Sequence, residues 1–355
     1  MNHQKKCATR RTFLKTSAAL VAINRLADAN SAAPTPAPAD AASAPPAPLF
    51  RDPIFDGAAD PTAIWNPHEN TCWIVYTQRR ANVDGRGVAW VHGCDLGVAS
   101  SADGGRSWCY RGTLQGLEFE RGRNTFWAPE MLWHDGLCHM YASYVRGIPH
   151  DWSGDRNIVH YTSRNLWDWH FESILPLSSE KVIDACVHRL PDGRWRMWYK
   201  NEAHQSHTYA ADSTDLYYWK VVGPAITEFA HEGPNVFEWK GAYWMVVDAW
   251  KGLAVLKSSD AQTWVRKKDI LTAPGHRLDD GTIGQHADVL VQGEDEATIF
   301  YFTHPGRNEK HPPVIAEVEP YASRRTSLQV ARLEFDGDTL NCDRDKPFAI
   351  SIKPW

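Results

Sequence analysis

The chain is poor in several features that would place it quickly. Only seven of its 355 residues are cysteine, and Cys7 belongs to an N-terminal segment of its own character. The other six, Cys72, Cys94, Cys109, Cys138, Cys186 and Cys342, fit no zinc-ligand spacing. Cys72, Cys138 and Cys186 lie on or beside strand-like runs, where a thiol behaves as a small buried hydrophobe. Cys94 and Cys109 flank one turn, and an oxidising compartment leaves their pairing open. The apolar stretch from Thr16 to Ile23 is far too short to span a membrane as an ordinary helix. No convincing helix of any length is visible. An excess of basic charge is also lacking. Residues 1–29 carry six basic and one acidic side chain, net +5, so the formal charge of −5 leaves −10 for the remainder. A nucleic-acid partner would want a basic face, and none is indicated.

What is present begins with an export signal. Thr9-Arg10-Arg11-Thr12-Phe13-Leu14-Lys15 resembles the twin-arginine motif, a modest apolar stretch comes next, and Ala27-Asp28-Ala29 offers small residues for cleavage. Residues 1–29 are therefore expected to be removed. The product would be periplasmic or secreted, with no stable membrane association after cleavage. Residues 30–48 are rich in Ala and Pro and read as a disordered linker. The folded domain is expected over 49–355. A hydrophobic content of 43% suits a full core, and seventeen tryptophans are many for this length, as in chains with stacked strands or sugar-stacking surfaces.

One short phrase recurs five times: Asp60-Pro-Thr-Ala-Ile-Trp65, Ala128-Pro-Glu-Met-Leu-Trp133, Asp184-Ala-Cys-Val-His-Arg189, Glu232-Gly-Pro-Asn-Val-Phe237 and His286-Ala-Asp-Val-Leu-Val291. Each is followed by a turn and an aromatic-rich strand, such as Cys72-Trp-Ile-Val-Tyr-Thr77 or Ala242-Tyr-Trp-Met-Val-Val247. Asp135-Gly136, Asp192-Gly193 and Lys240-Gly241 are turn formers at the junctions. A second turn recurs in four repeats. Ser101-Ala-Asp-Gly-Gly-Arg-Ser-Trp108 fits the Asp-box pattern, and looser copies begin at Ser163, Ser213 and Ser259. In each, a short polar side chain bonds its own turn and an aromatic fills the gap between sheets, which is a structural role. The last repeat has instead the strand Ser327–Phe335, which either closes the ring or completes the final blade. Repeats of this period indicate an all-β chain built as a five-bladed β-propeller, with about 60 residues per blade.

In a propeller the innermost strands line the central channel, so Asp60, Glu130, Asp184, Glu232 and His286 are expected to converge. Carboxylates crowded together push one another's pKa apart, so that one holds a proton while another is ionised. Glycoside hydrolysis needs that split. The structural alternative is a set of axial salt bridges to arginine.

This ordered set, one phrase per blade over roughly residues 50–345, resembles the five-bladed glycoside hydrolases of family 43 and its relatives, families 62 and 117. The resemblance implies a general base at Asp60 in the Asp-Pro phrase. It implies a general acid at Glu232 in Glu232-Gly233-Pro234, with Asp184 in Val182-Ile-Asp184 tuning and orienting that acid. Trp127 and Glu130 in Trp127-Ala-Pro-Glu130 resemble the phrase that helps build the substrate pocket. His286 resembles an axial histidine that in many members sits beside bound calcium, so a calcium ion near the axis is the expected cofactor, with no organic one. His231 directly before Glu232 is similar to a His-Glu pair of family 117 and is an alternative proton donor. The third motif departs from the pattern, reading Asp184-Ala-Cys where family 43 often has Pro or Ser after the Asp. The implied chemistry is exo-acting, inverting hydrolysis of plant or algal oligosaccharides of arabinofuranosyl, xylosyl or anhydrogalactosyl type. Inversion requires the two carboxyl groups about 6.5–9.5 Å apart, and retention about 5 Å.

Arg79, Arg80 and Arg86 come after the first aromatic strand, where Arg79 is a candidate to hold sugar hydroxyls or a carboxylate. The loop 147–156, with Pro149, His150 and Trp152, is a candidate pocket wall. Competing readings are a sialidase, which needs an arginine triad, a phosphate-using glycosidase, which needs a basic pocket, and a sugar-binding propeller without catalysis.

Overall fold

The computed structural model describes residues 44–307 and 319–355. The expected signal at 1–29 and all but the last residues of the expected linker lie outside them. Twenty strands form five four-stranded antiparallel sheets, each consecutive in sequence. Blade one is β1 (Ala58–Asn66), β2 (Thr71–Gln78), β3 (Asp95–Ser101) and β4 (Cys109–Thr113). Blade two is β5 (Thr125–His134), β6 (Leu137–Val145), β7 (Asn157–Ser163) and β8 (Trp169–Ile174). Blade three is β9 (Val182–Arg189), β10 (Trp195–Asn201), β11 (His207–Ser213) and β12 (Lys220–Ile226). Blade four is β13 (Glu232–Trp239), β14 (Ala242–Asp248), β15 (Leu253–Ser258) and β16 (Val265–Arg266). Blade five is β17 (Gln285–Val291), β18 (Ala297–Thr303), β19 (Ser327–Phe335) and β20 (Leu340–Asn341). The fold is the five-bladed propeller expected, and Ser327–Phe335 completes the last blade.

Each blade exists because its second strand is apolar on both faces and must be covered on both. Trp73, Trp198 and Trp244 are fully buried on β2, β10 and β14. Five apolar clusters lie between neighbouring blades, the pair of blades one and five included. Positive φ at both Asp135 and Gly136, and at both Lys240 and Gly241, makes the hairpin turns that strand twist favours. At the Asp-box, Ser101 Oγ accepts the Gly105 N–H and Asp103 Oδ1 accepts those of Arg106 and Ser107. The fourth copy uses Ser258 rather than Ser259: Ser258 Oγ accepts the Asp260 N–H, and Asp260 accepts from Gln262 and Thr263.

Among the described residues no fifth-blade strand comes from the N-terminal side, so the ring is closed by other contacts. Phe50 and Leu328 exchange two backbone hydrogen bonds, 3.3 and 3.0 Å. The C-terminal tail reaches blade one, where the Ile352 N–H donates to Gly104 at 2.9 Å. The thiols of Cys94 and Cys109 are both free. Cys94 precedes β3 while Cys109 pairs with Ser100 near its far end, so the two sit at opposite ends of one strand.

The five innermost strands share an irregularity that sequence alternation hides. Each breaks register at one point, between Ala59 and Thr62, Trp127 and Glu130, Ile183 and Cys186, Glu232 and Asn235, and Gln285 and Asp288. Each break is a β-bulge whose first residue has positive φ: Asp60 at 49°, Ala128 at 40°, Asp184 at 59°, Gly233 at 57° and His286 at 20°. The next residue is Pro61, Pro129, Ala185, Pro234 or Ala287, and proline suits a place where no ladder N–H is needed. The bulge divides each strand into two levels. In each blade its first residue, the one before it, or both line a cavity on the axis. In blades two to five the residue two places further on faces the neighbouring blade, at a second level of the strand. At that second level Glu130 accepts the Val187 N–H, Cys186 Sγ that of Val236, Asn235 that of Val289 and Asp288 that of Ala63. Each bond runs from one blade to the next, so these side chains form a belt around the axis.

Candidate functional site

A cavity of about 330 Å³ opens at the bulge level. Its floor is made of Asp60, Asp184 and His286 from the first bulge position, with Trp127, Ile183, Glu232 and Gln285 from the position before. Trp90, Trp152 and Trp250 join Trp127 around it, and Arg79, Lys200, Glu202, His304 and Arg307 complete the polar lining. Four indoles around a convergent cluster of charged side chains is a make-up suited to a small polar molecule with an apolar face. Trp152 and Trp250 are 55% and 43% exposed, and the rest of the wall is largely buried.

The floor is held in place through the backbone. Thr77 Oγ1 accepts the Ala128 N–H, Ser143 Oγ that of Asp184, Asp184 Oδ2 that of Gly233 and Asp248 Oδ2 that of His286. Glu232 comes from one position earlier than Asp60 and Asp184 because blade four carries Gly233 at the bulge. A Cβ there would lie 2.8 Å from the His286 ring. Glycine lets the imidazole pack on the backbone, and the acidic side chain enters from the preceding residue. His286 thus lies between this segment and Asp60, with its Nδ1 3.5 Å from Asp60 Oδ1.

The floor carboxylates are balanced by cations. Arg79 Nη2 donates to both Asp60 oxygens, at 2.9 and 3.1 Å, and its guanidinium stacks 4.7 Å over Phe302. Lys200 Nζ donates to Glu232 Oε2 at 2.9 Å and Glu202 Oε1 at 3.1 Å. Protonation states diverge accordingly. Burial pushes Asp184 up to about 6, with the Glu232 charge adding to it and His286 opposing. Asp248 is pushed up to about 7, again by burial first. For Glu232 burial works upward, but the charge and hydrogen bond of Lys200 outweigh it and hold the group at about 2. Burial would lower His286, yet the carboxylates of Asp184, Asp60, Glu232 and Asp248 raise it above the ordinary histidine value. One pocket therefore holds acids displaced in opposite directions, which marks a functional site more often than a packing site.

Of the residues expected from sequence, Asp60, Asp184, Glu232, Trp127, Arg79 and His286 meet at this cavity. Trp152 of the expected pocket-wall loop joins them. Two do not. Glu130 lies in the belt, two residues beyond the bulge, with its carboxyl on the Val187 N–H. Burial pushes it up to about 8, so it is a neutral acid in the wall between blades. His231 is fully buried behind the acid, its Nδ1 2.9 Å from the Phe229 carbonyl and its Nε2 2.6 Å from Thr208 Oγ1. Both ring nitrogens are used and burial lowers it to about 4, so it neither faces substrate nor holds a spare proton.

The donor set does not fit the calcium expected at His286. Calcium takes six to eight oxygen ligands. Here Asp60 and Glu232 are already paired with Arg79 and Lys200. Among the described residues no group of three or more His, Cys, Asp or Glu side chains is placed to hold a metal ion. A sialidase-like triad does not fit either. Among the described residues the arginines lining the cavity are Arg79 and Arg307, paired with Asp60 and Glu319.

Lys200, Glu202, Asp248 and Trp250 escape a reading of the sequence. Lys200 and Asp248 sit at the ends of apolar strands, where a charge ordinarily marks the return to solvent. No local pattern distinguishes a strand end that meets a channel from one that meets water.

No known protein-family model matches the sequence, and no curated protein resembles it closely enough to register. Solved structures do resemble the fold. A thermostable family-43 glycoside hydrolase aligns over 85% of this chain and 99% of its own, at 18% identity and a TM-score of 0.59. A GH43_1 enzyme from Xanthomonas citri in complex with xylotriose aligns over 89% and 98%, at 14% identity and 0.61. A GH43 β-1,3-galactosidase with galactodeoxynojirimycin aligns over 82% and 96%, at 14% identity and 0.60.

Proposed function

We propose that this chain is a glycoside hydrolase that removes terminal sugars from oligosaccharides with inversion. The observation that carries the reading is the floor of the cavity, where Asp60, Asp184 and Glu232 converge from three blades within four indoles. Its fold neighbours include enzymes named for family 43, one of them bound to xylotriose and one a galactosidase, which supports a neutral sugar as substrate.

In this reading Asp60, fixed by both bonds from Arg79, takes a proton from the attacking water. Glu232 gives one to the departing glycosidic oxygen, having first taken that proton up as the bound sugar displaces the Lys200 ammonium from its carboxylate. Asp184 bonds the Gly233 N–H and so orients the segment that carries Glu232. His286 stands between Asp60 and that segment, and inversion is proposed on the family 43 resemblance, with a water between the two carboxyl groups. Trp127 and the exposed Trp152 and Trp250 offer faces for the apolar side of a sugar ring. Export through the twin-arginine segment is proposed on that motif alone.

The test is sugar release from arabino-, xylo- and galacto-oligosaccharides by the wild type beside Glu232→Gln. Proton NMR during turnover would assign the anomer formed first. Release that is lost in the variant, with an inverted first product, supports the reading. Equal release by both removes Glu232 as proton donor. No release from any sugar favours a binding propeller.

A further inference from the structure

A carboxyl group that must donate a proton is an odd partner for an ammonium ion, yet Glu232 has one at hydrogen-bond distance. Lys200 projects from β10 with only 6% of its side chain exposed. Its Nζ bridges Glu232 at 2.9 Å and Glu202 at 3.1 Å. Glu202 in turn forms an ion pair with Arg156, Nε to Oε2 3.1 Å. Arg156 is buried and donates to the carbonyls of Gly154 and Trp152, at 2.8 and 2.7 Å, with its guanidinium 5.8 Å from the Trp152 ring. A continuous chain of alternating charge thus runs from the Trp152 loop to the acid.

We propose that Lys200 is the positioning residue of the acid: it pins the Glu232 carboxyl to the cavity wall and, through Glu202 and Arg156, ties it to the loop that carries Trp152. A sugar seated against Trp152 then bears on the same chain of charges that holds Glu232. The other groups facing Glu232 do not supply this hold. His286 of β17 contributes positive charge, while Asp184 of β9 and Asp248 of β14 couple to it as acids. The Trp250 side chain also favours the ionised form. Among these groups Lys200 alone both bonds the carboxylate and opposes its charge, so it sets when Glu232 can hold a proton.

The catalytic consequence rests on the proposed role of Glu232, but the hold itself is measured without activity. Carbon-13 NMR of labelled glutamate carboxyl groups, with the Glu232 signal identified by its absence in Glu232→Gln, follows the titration directly. In the wild type Glu232 should stay ionised from pH 8 down to about pH 4. In Lys200→Met, or Lys200→Gln should the first variant fold poorly, its midpoint should rise by about two pH units or more, and Lys200→Arg should restore the low value. The basic limb of kcat/KM should move upward with it. A wild-type Glu232 that titrates at or above pH 5, or a midpoint unmoved by loss of the lysine charge, would overturn the proposal. Wild-type hydrolysis by Glu232→Gln would instead sink the acid assignment and leave the NMR result standing.

Discussion

Two levels of the same five strands, two residues apart, have opposite chemistry. At the bulge level, Asp60, Asp184, His286 and Glu232 face open space and one another, with their charges balanced by Arg79 and Lys200. At the belt level, Glu130, Cys186, Asn235 and Asp288 face the next blade and each takes a backbone N–H. Both levels carry buried acids. What separates them is the partner: the belt side chains are committed to a neighbour's backbone, whereas Asp60 and Glu232 are balanced by the side-chain charges of Arg79 and Lys200, which a substrate can replace. The β-bulge makes the difference, because one extra residue per strand turns the side chains before it towards the cavity and those after it towards the next blade.

The sharpest way to break this comparison is at the upper level. Asp60→Asn and Glu232→Gln should each lower hydrolysis of alkyl glycosides about 10²- to 10⁴-fold with the thermal midpoint nearly unchanged. A fall in stability of the same order as in belt variants would erase the distinction. Next comes the belt. Asp288→Ala leaves the Ala63 N–H and the Asn235 amide without their acceptor and should cost about 1–3 kcal/mol in denaturant unfolding, while activity per folded molecule persists. A smaller effect belongs to the cavity wall. Trp152→Ala should raise KM roughly three- to tenfold and leave kcat nearly unaltered; a fall in kcat alone would count against a binding role.

The smallest effect concerns pH. Glu130, at about 8 when folded against 4.5 as an ordinary glutamate, keeps in the folded state a proton that the unfolded chain releases. Its contribution is therefore full below about pH 4.5 and lost as pH rises through 8. Glutamine does not titrate, so Glu130→Gln should show a shallower fall of the thermal midpoint between pH 5 and 8. A steeper fall would contradict the buried, neutral state.

Much of this is legible in the chain. Aromatic second strands such as Cys72–Thr77 and the turns of Asp135-Gly136 and Lys240-Gly241 announce the blades because their physics is local. The Asp-box at Ser101 is legible for the same reason. Asp60, Asp184 and Glu232 are legible as a set because one polar residue per repeat points at one axis. The same logic misplaces Glu130. Counting from the phrase puts it beside the others, but Ala128 and Pro129 form the bulge and carry it past the cavity. It misplaces His231 too, because adjacency to Glu232 implies nothing about direction: His231 lies just before β13 and turns to Thr208. Lys200 pairs with Glu232 across 32 residues, a distance over which sequence shows no charge complementarity.

One side-by-side measurement tests the division of the strands most directly: hydrolysis and thermal midpoint for Glu232→Gln and Glu130→Gln under identical conditions. The substitution is the same, and both groups sit on innermost strands. Loss of hydrolysis with an unchanged midpoint in the first, and retained hydrolysis with an altered pH dependence of the midpoint in the second, is the predicted result. Loss of hydrolysis in Glu130→Gln with full activity in Glu232→Gln would contradict it.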